Sequence, residues 1–191
     1  MLLLLNPSIF FVSFQVHDAS TGQPVNTPKS YGKSIKVSDL PDGVARFFPV
    51  RSEQSAQGLP KEQLMQVLEV IRKHVAAIQD AFAQLEIRMV GGSFLIIYEG
   101  DLERAKQGLL EVGAGEEEGE EGEEDEEDVE DEDDSDEDEE NTKPGPPCLV
   151  KLIDFAHTKL VPHGGPDKGV LLGMDTTLKL LDGRIAQIKR S

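Results

Sequence analysis

The residues best suited to chemistry lie in the string Ile153-Asp154-Phe155-Ala156-His157-Thr158. An aspartate directly after an apolar run is costly to bury without a partner. A divalent cation is one such partner. Phosphoryl transfer needs a carboxylate that holds Mg2+ against the phosphates of a nucleotide, and a strand end places it rigidly. His157, three positions on, could face the same cavity and bind an anionic substrate. The same spacing also suits an aspartate that caps the next turn beside an ordinary surface histidine. The string alone leaves both readings open.

Three further groups could meet phosphate. Gly91-Gly92-Ser93 opens an apolar run, and glycines there could let backbone approach a phosphate or simply form a turn or bulge. They are not a Walker loop, which requires Lys and Ser or Thr before a helix. Gly164-Gly165-Pro166-Asp167-Lys168-Gly169 reads first as a loop. Lys29, Lys33 and Lys36 surround Tyr31-Gly32 and form either a small cationic patch or a solvated loop.

These residues need elements to hold them. Ser93–Tyr98 (SFLIIY) and Cys148–Phe155 (CLVKLIDF) are continuous apolar runs of strand length, fit for buried strands. A helix begins near Pro60, a proline tolerated in a first turn. It carries Leu64, Val67, Leu68, Ile71, Val75, Ile78, Phe82 and Leu85 at intervals of three and four, one stripe facing a core. At about 25 residues it would span about 38 Å. Ser38–Gly43 can start a short helix with Val44, Phe47 and Phe48 on one side and Ser or Asp as its cap. Asp18–Pro28 is rich in turn formers and reads as a loop. A buried strand is expected from Phe14 to His17, after an irregular apolar leader. No internal repeat is visible.

Charge divides the chain. Of 191 residues with a formal net charge of −18, Glu116–Glu140 contributes 21 Asp or Glu and no base. The remaining 16 acids against 19 bases leave +3. The tract is flanked by Gly- and Pro-rich segments and cannot bury enough apolar surface to fold. It reads as a disordered insertion between two neighbouring strands, which costs little closure entropy. It is either a solvated spacer or a lure for basic proteins such as histones or import factors. Ser135, in Asp-Asp-Ser-Asp-Glu-Asp, suits acid-directed phosphorylation. A folded part near +3 without a basic, aromatic-laced stripe argues against nucleic acid as a partner. One cysteine, Cys148, excludes an intramolecular disulfide framework and a cysteine-rich zinc site, and reducing surroundings are the natural expectation. The N-terminal MLLLLNPSIFFVSFQV is too short to span a membrane. It also lacks the basic start and cleavage site of a signal peptide.

Several of these strings together resemble the inositol polyphosphate kinases, and among them most closely the multikinase branch. They are Ser30-Tyr31-Gly32-Lys33-Ser34, Leu40 to Phe48 (LPDGVARFF), Ser93 to Asp101 (SFLIIYEGD), Ile153 to Thr158 (IDFAHT), and Gly165-Pro166-Asp167-Lys168-Gly169 leading to Leu172-Gly173-Met174-Asp175. Their order and spacing fit over about 120 of the 191 residues.

The resemblance implies an α+β fold, the C-terminal lobe of a two-lobed kinase-like architecture with a disordered acidic insertion. The lobe would comprise residues 14–103 and 149–182. Residues 1–13 would be a leader, 104–148 the insertion and 183–191 a basic tail. It further implies ATP-dependent phosphorylation of soluble inositol polyphosphates with Mg2+, in the nucleus and cytoplasm. Asp154 aligns with the family's metal-binding aspartate beside the nucleotide, and His157 with a histidine near the inositol phosphate. Gly92-Ser93-Phe94-Leu95 aligns with a Ser-Ser-Leu-Leu motif at the nucleotide, leaving any hydroxyl role to Ser93. Lys29 and Lys33 fall where substrate contacts are expected.

One departure is large. The family's P-x-x-x-D-x-K-x-G string, with its catalytic aspartate and lysine, is absent from these 191 residues, as is the small nucleotide-binding lobe. No catalytic residue is therefore assigned. The expectation is a truncated kinase, inactive alone. The competing reading is a non-catalytic interaction protein built on a kinase remnant and working through residues 116–140.

Overall fold

A computed structural model describes residues 2–4, 10–117 and 145–191, with side chains from Ser13 to Gly113 and from Gly145 onward. The acidic tract beyond Glu117, Ser135 included, lies outside the described residues.

Five strands form one antiparallel sheet. They are β1 (Leu2–Leu4), β2 (Phe10–Asp18), β3 (Gln23–Thr27), β5 (Ser93–Tyr98) and β6 (Cys148–Ile153), in the order β3-β2-β1-β5-β6. β4 (Ile87–Met89) and β7 (Thr158–Leu160) pair separately as a two-stranded ribbon. The helices are α1 (Lys29–Ser34), α2 (Leu40–Phe47), α3 (Lys61–Ala83), α4 (Leu102–Glu117) and α5 (Lys168–Arg190).

The core fills one face of the sheet. Phe14 and Val16 of β2 and Phe94 and Ile96 of β5 are buried there. α3 packs onto β6, and α5 lies along α3 and reaches α2. The α3 stripe is buried as its spacing predicts at Leu64, Val67, Leu68, Ile71, Val75 and Phe82, with Ile78 half-buried, although Leu85 falls beyond the helix and is exposed. Phe47 stacks edge-on against Phe14 (5.7 Å), Phe48 (4.5 Å) and Tyr98 (5.3 Å), which joins α2 to the sheet. Such edge-to-face pairs suit the ring quadrupoles.

Several expectations need correction. Residues 1–13 are not an irregular leader throughout: Leu2–Leu4 inserts between β2 and β5, and β2 begins at Phe10. β3 occupies Gln23–Thr27, inside the stretch read as loop. The strands β5 and β6 are buried on one face only. Ile97 is 50% exposed and Leu149 37%, because helices cover a single face among the described residues. An antiparallel sheet tolerates that arrangement.

Residue 104 does not begin an insertion. Asp101 Oδ1 accepts the amides of Glu103 and Arg104, starting α4, which runs to Glu117 and buries Ala105. Residues 183–191 are not a tail. They form the end of α5 and bury Ile185 and Ile188. Finally, Asp39 does not cap α2. Its carboxylate accepts the amide of Lys36, ahead of the helix.

Candidate functional site

Asp154 directly follows β6 with φ +68°, in the left-handed region. Non-glycine residues held there cost about 1–3 kcal/mol and gather at functional sites. The residue occupies the N-cap position of a 3-10 turn, Phe155–His157, but its carboxylate makes no capping bond. The capping alternative therefore falls. The expectation of a buried carboxylate falls too: Asp154 is exposed, as is His157. Among the described residues the Asp154 carboxylate has no hydrogen-bond or ion-pair partner. Two oxygens in water, fixed by a rigid strand, suit one contact to a hard cation. No group of three His, Cys, Asp or Glu that could hold a metal occurs among the described residues. An ion at Asp154 would draw its other ligands from phosphates and water, which is how Mg2+ is commonly bound.

Ser93 pairs with Ile153 across β5 and β6, so it neighbours Asp154. Its side chain is 1% exposed and its hydroxyl has no partner. It does not open onto a surface, unlike the nucleotide contact expected of it. Gly91 (φ +78°) and Gly92 make the turn from β4 into β5. A Cβ on Gly92 would lie 2.3 Å from Met89 Sδ, so close packing explains that glycine without a phosphate.

The β4–β7 ribbon positions His157. Val90 N donates to His157 O at 3.2 Å and Val161 N to Glu86 O at 2.7 Å, bracketing the three paired residues of β7. Beyond β7, Glu86 and Arg88 bind the backbone of His163–Gly165. Asp167 accepts Met89 N at 3.1 Å and caps α5 through Gly169 N and Val170 N. Glu86 and Arg88 escaped sequence reasoning because nothing local marks two charges on a short strand as loop anchors. Asp167 could have been found as an N-cap residue.

Lys29 and Lys33 are exposed on α1, and Lys36 follows it. α1 packs against β2, where Tyr31 meets Phe14 and lies under the Arg46 guanidinium at 5.0 Å. Three strand spacings, about 14 Å, separate β2 from β6. No hydrogen bond or ion pair joins these lysines to Asp154 or His157. Ser93, Asp154 and His157 are thus brought to one end of the sheet, and the lysines stand apart.

A groove of about 550 Å³ opens between β2 and β5, lined by Gln15, His17, Asn26, Ile97, Glu99 and Gly100 among others. Asp154 and His157 are not in its walls.

No curated protein matches the chain. Among solved structures, inositol phosphate multikinase Ipk2 from S. cerevisiae, in complex with ADP and Mn2+, superposes with a TM-score of 0.56 at 23% identity. The match covers 89% of this chain and 55% of that one. A second structure, of an inositol phosphate multikinase studied by protein engineering, gives 0.55 at 13% identity, covering 92% of this chain and 62% of that one. The likeness is one of fold, and the chain spans little more than half the length of these proteins. The profile of the family described as inositol polyphosphate kinase matches residues 9–182. By that match, over most of its length, this chain belongs to the inositol polyphosphate kinase family.

Proposed function

We propose that the chain is the substrate-side lobe of an ATP-dependent inositol polyphosphate kinase. Asp154 contacts the divalent cation that accompanies the nucleotide, and His157 meets the anionic substrate. The observation carrying this reading is the backbone of Asp154, held left-handed at a strand end with its carboxylate unpartnered. Family membership and a multikinase relative solved with ADP and Mn2+ support it. Phosphoryl transfer is catalysed almost wholly by positioning and charge stabilisation. A single cation-holding carboxylate on a rigid strand fits that demand.

The test is calorimetric titration of the 191-residue chain with Mg-ATP, alongside Asp154→Asn. Saturable Mg2+-dependent binding that the substitution removes supports the reading. Equal binding by the two proteins, or none by either, overturns it. The second reading, an interaction protein acting through residues 116–140, is favoured by the 21 acids concentrated there. Salt-sensitive retention of histones, with no nucleotide binding, would select it.

A further inference from the structure

We infer that Glu86 and Arg88 are positioning residues for His157, acting through the ribbon and loop that follow it. The inference rests on the reading of His157 given above.

The segment from Asp154 to Asp167 has little burial to hold it. Asp154–His157, Lys159, Leu160 and Pro162–Gly164 are all exposed. Besides Asp154 itself, His163 (φ +62°) and Gly165 (φ +64°) are left-handed, and His163 has no glycine's freedom to be so. Something outside the segment must offset that cost.

The tethers come from one side. Glu86 precedes β4 and Arg88 is its central residue, so their side chains leave the strand on the same face. The Glu86 carboxylate accepts His163 N at 2.9 Å and Gly165 N at 3.4 Å. The Arg88 guanidinium donates through Nη1 to Gly165 O at 2.7 Å and through Nη2 to Gly164 O at 2.6 Å. Nη1 also donates to its own strand at Ile87 O, 2.8 Å. An acceptor anion takes the loop's amides and a donor cation takes its carbonyls. Neither residue forms an ion pair with the other, so both charges are spent on the loop. Hydrogen bonds to charged groups are the stronger kind.

β7 is only three residues long, and His157 directly precedes its far end, with its carbonyl held by Val90 N. A three-residue edge strand is too short to keep its register alone. The clamp at 163–165 therefore fixes one end of the ribbon and the Val90 bond the other. Asp154 follows directly on β6, which is held by six residue pairs to β5 up to Ile153, and so does not depend on the clamp.

The experiment is residue-resolved amide exchange on the full chain and on Arg88→Met, with thermal melting as a control. Exchange at His163 and Gly165 should rise about tenfold, and so should exchange at Val90, beyond the far end of β7. Arg88→Lys keeps the charge but not the forked geometry and should fall between. Glu86→Gln, which keeps one acceptor, serves if Arg88→Met does not fold. Faster exchange confined to 163–165, with Val90 unchanged, overturns the inference.

A ligand arm separates the two readings. With inositol trisphosphate as probe, Arg88→Met should weaken binding about tenfold while Mg-ATP affinity stays within about twofold. Equal loss of both ligands counts against the clamp. If the parent chain binds no inositol trisphosphate, the proposed function fails, and the exchange result still decides the clamp.

Discussion

Arg184 donates through Nε (3.1 Å) and Nη2 (2.6 Å) to the carbonyl oxygen of Phe48, tying α5 to the end of α2. Next to it, Tyr98 Oη donates to Phe47 O at 3.0 Å. Burial holds the Tyr98 phenol well above its usual range, so it remains a donor. Two carbonyls at the C-terminus of α2, which the helix itself cannot satisfy, are thereby paired. Arg184→Met should cost about 1.5–3 kcal/mol in urea unfolding, the worth of a charged hydrogen bond and an orphaned acceptor. Tyr98→Phe should cost about 1 kcal/mol, and the double variant should depart from the sum because the groups adjoin. Unchanged midpoints would show that water replaces these bonds freely.

The left-handed backbone at Asp154 sets stability against binding. Asp154→Asn keeps volume and tolerates the conformation, so melting should hardly move while metal-dependent nucleotide binding is lost. Asp154→Gly should raise stability by about 1 kcal/mol, since glycine relieves the strain, and also lose binding. A destabilised glycine variant would mean that the carboxylate supports the fold and is not held there for a ligand.

Gly92→Ala should destabilise by about 1–3 kcal/mol. The new methyl would press on Met89, which is buried at 1% exposure. Chemical denaturation checks this. A neutral substitution would show that Met89 repacks without cost.

Cys148 bears the pH prediction. Burial pushes its thiol from an ordinary 9.0 up to about 11. The folded chain then keeps a proton that the unfolded chain releases. This contribution to stability is fully present below pH 9 and is lost as pH rises from about 9 to 11. Ellman's reagent at pH 8 should react slowly with the native chain and quickly in denaturant. Rapid native reaction would contradict the burial.

Catalysis is the last prediction. The 191 residues hold no P-x-x-x-D-x-K-x-G string. Each tenfold in rate is worth about 1.4 kcal/mol, and a chain without that string's aspartate and lysine forgoes many tenfolds. Purified chain given ATP and inositol trisphosphate should form no product above background. Measurable turnover would mean that other residues supply those roles.

Local signals carried much of this protein. Spacings of three and four named the buried side of α3, and apolar runs located β5 and β6, because helix and strand periods are properties of the chain itself. Ile153–Thr158 marked the candidate site for the same reason: a polar pair after an apolar strand stands out locally. α4 was legible too, in Asp101 followed by Leu102, Ala105, Leu109 and Val112, but the neighbouring acidic run drew the boundary too early.

The rest depended on partners distant in sequence. Whether Ile97 and Leu149 meet water depends on which face the helices cover. Arg184 reads as part of a basic tail until Phe48, 136 positions earlier, offers its carbonyl. Nothing local marks Glu86 and Arg88 until the chain returns with His163–Gly165. By itself the sequence determined the family strings, the helix faces and the Asp154–His157 spacing, all set by neighbours within a few residues. Only the tertiary structure decided the conformation of Asp154, the burial of Ser93, the separation of the α1 lysines and the anchoring of the loop. Each of these is fixed by contacts between segments whose meeting no local pattern encodes.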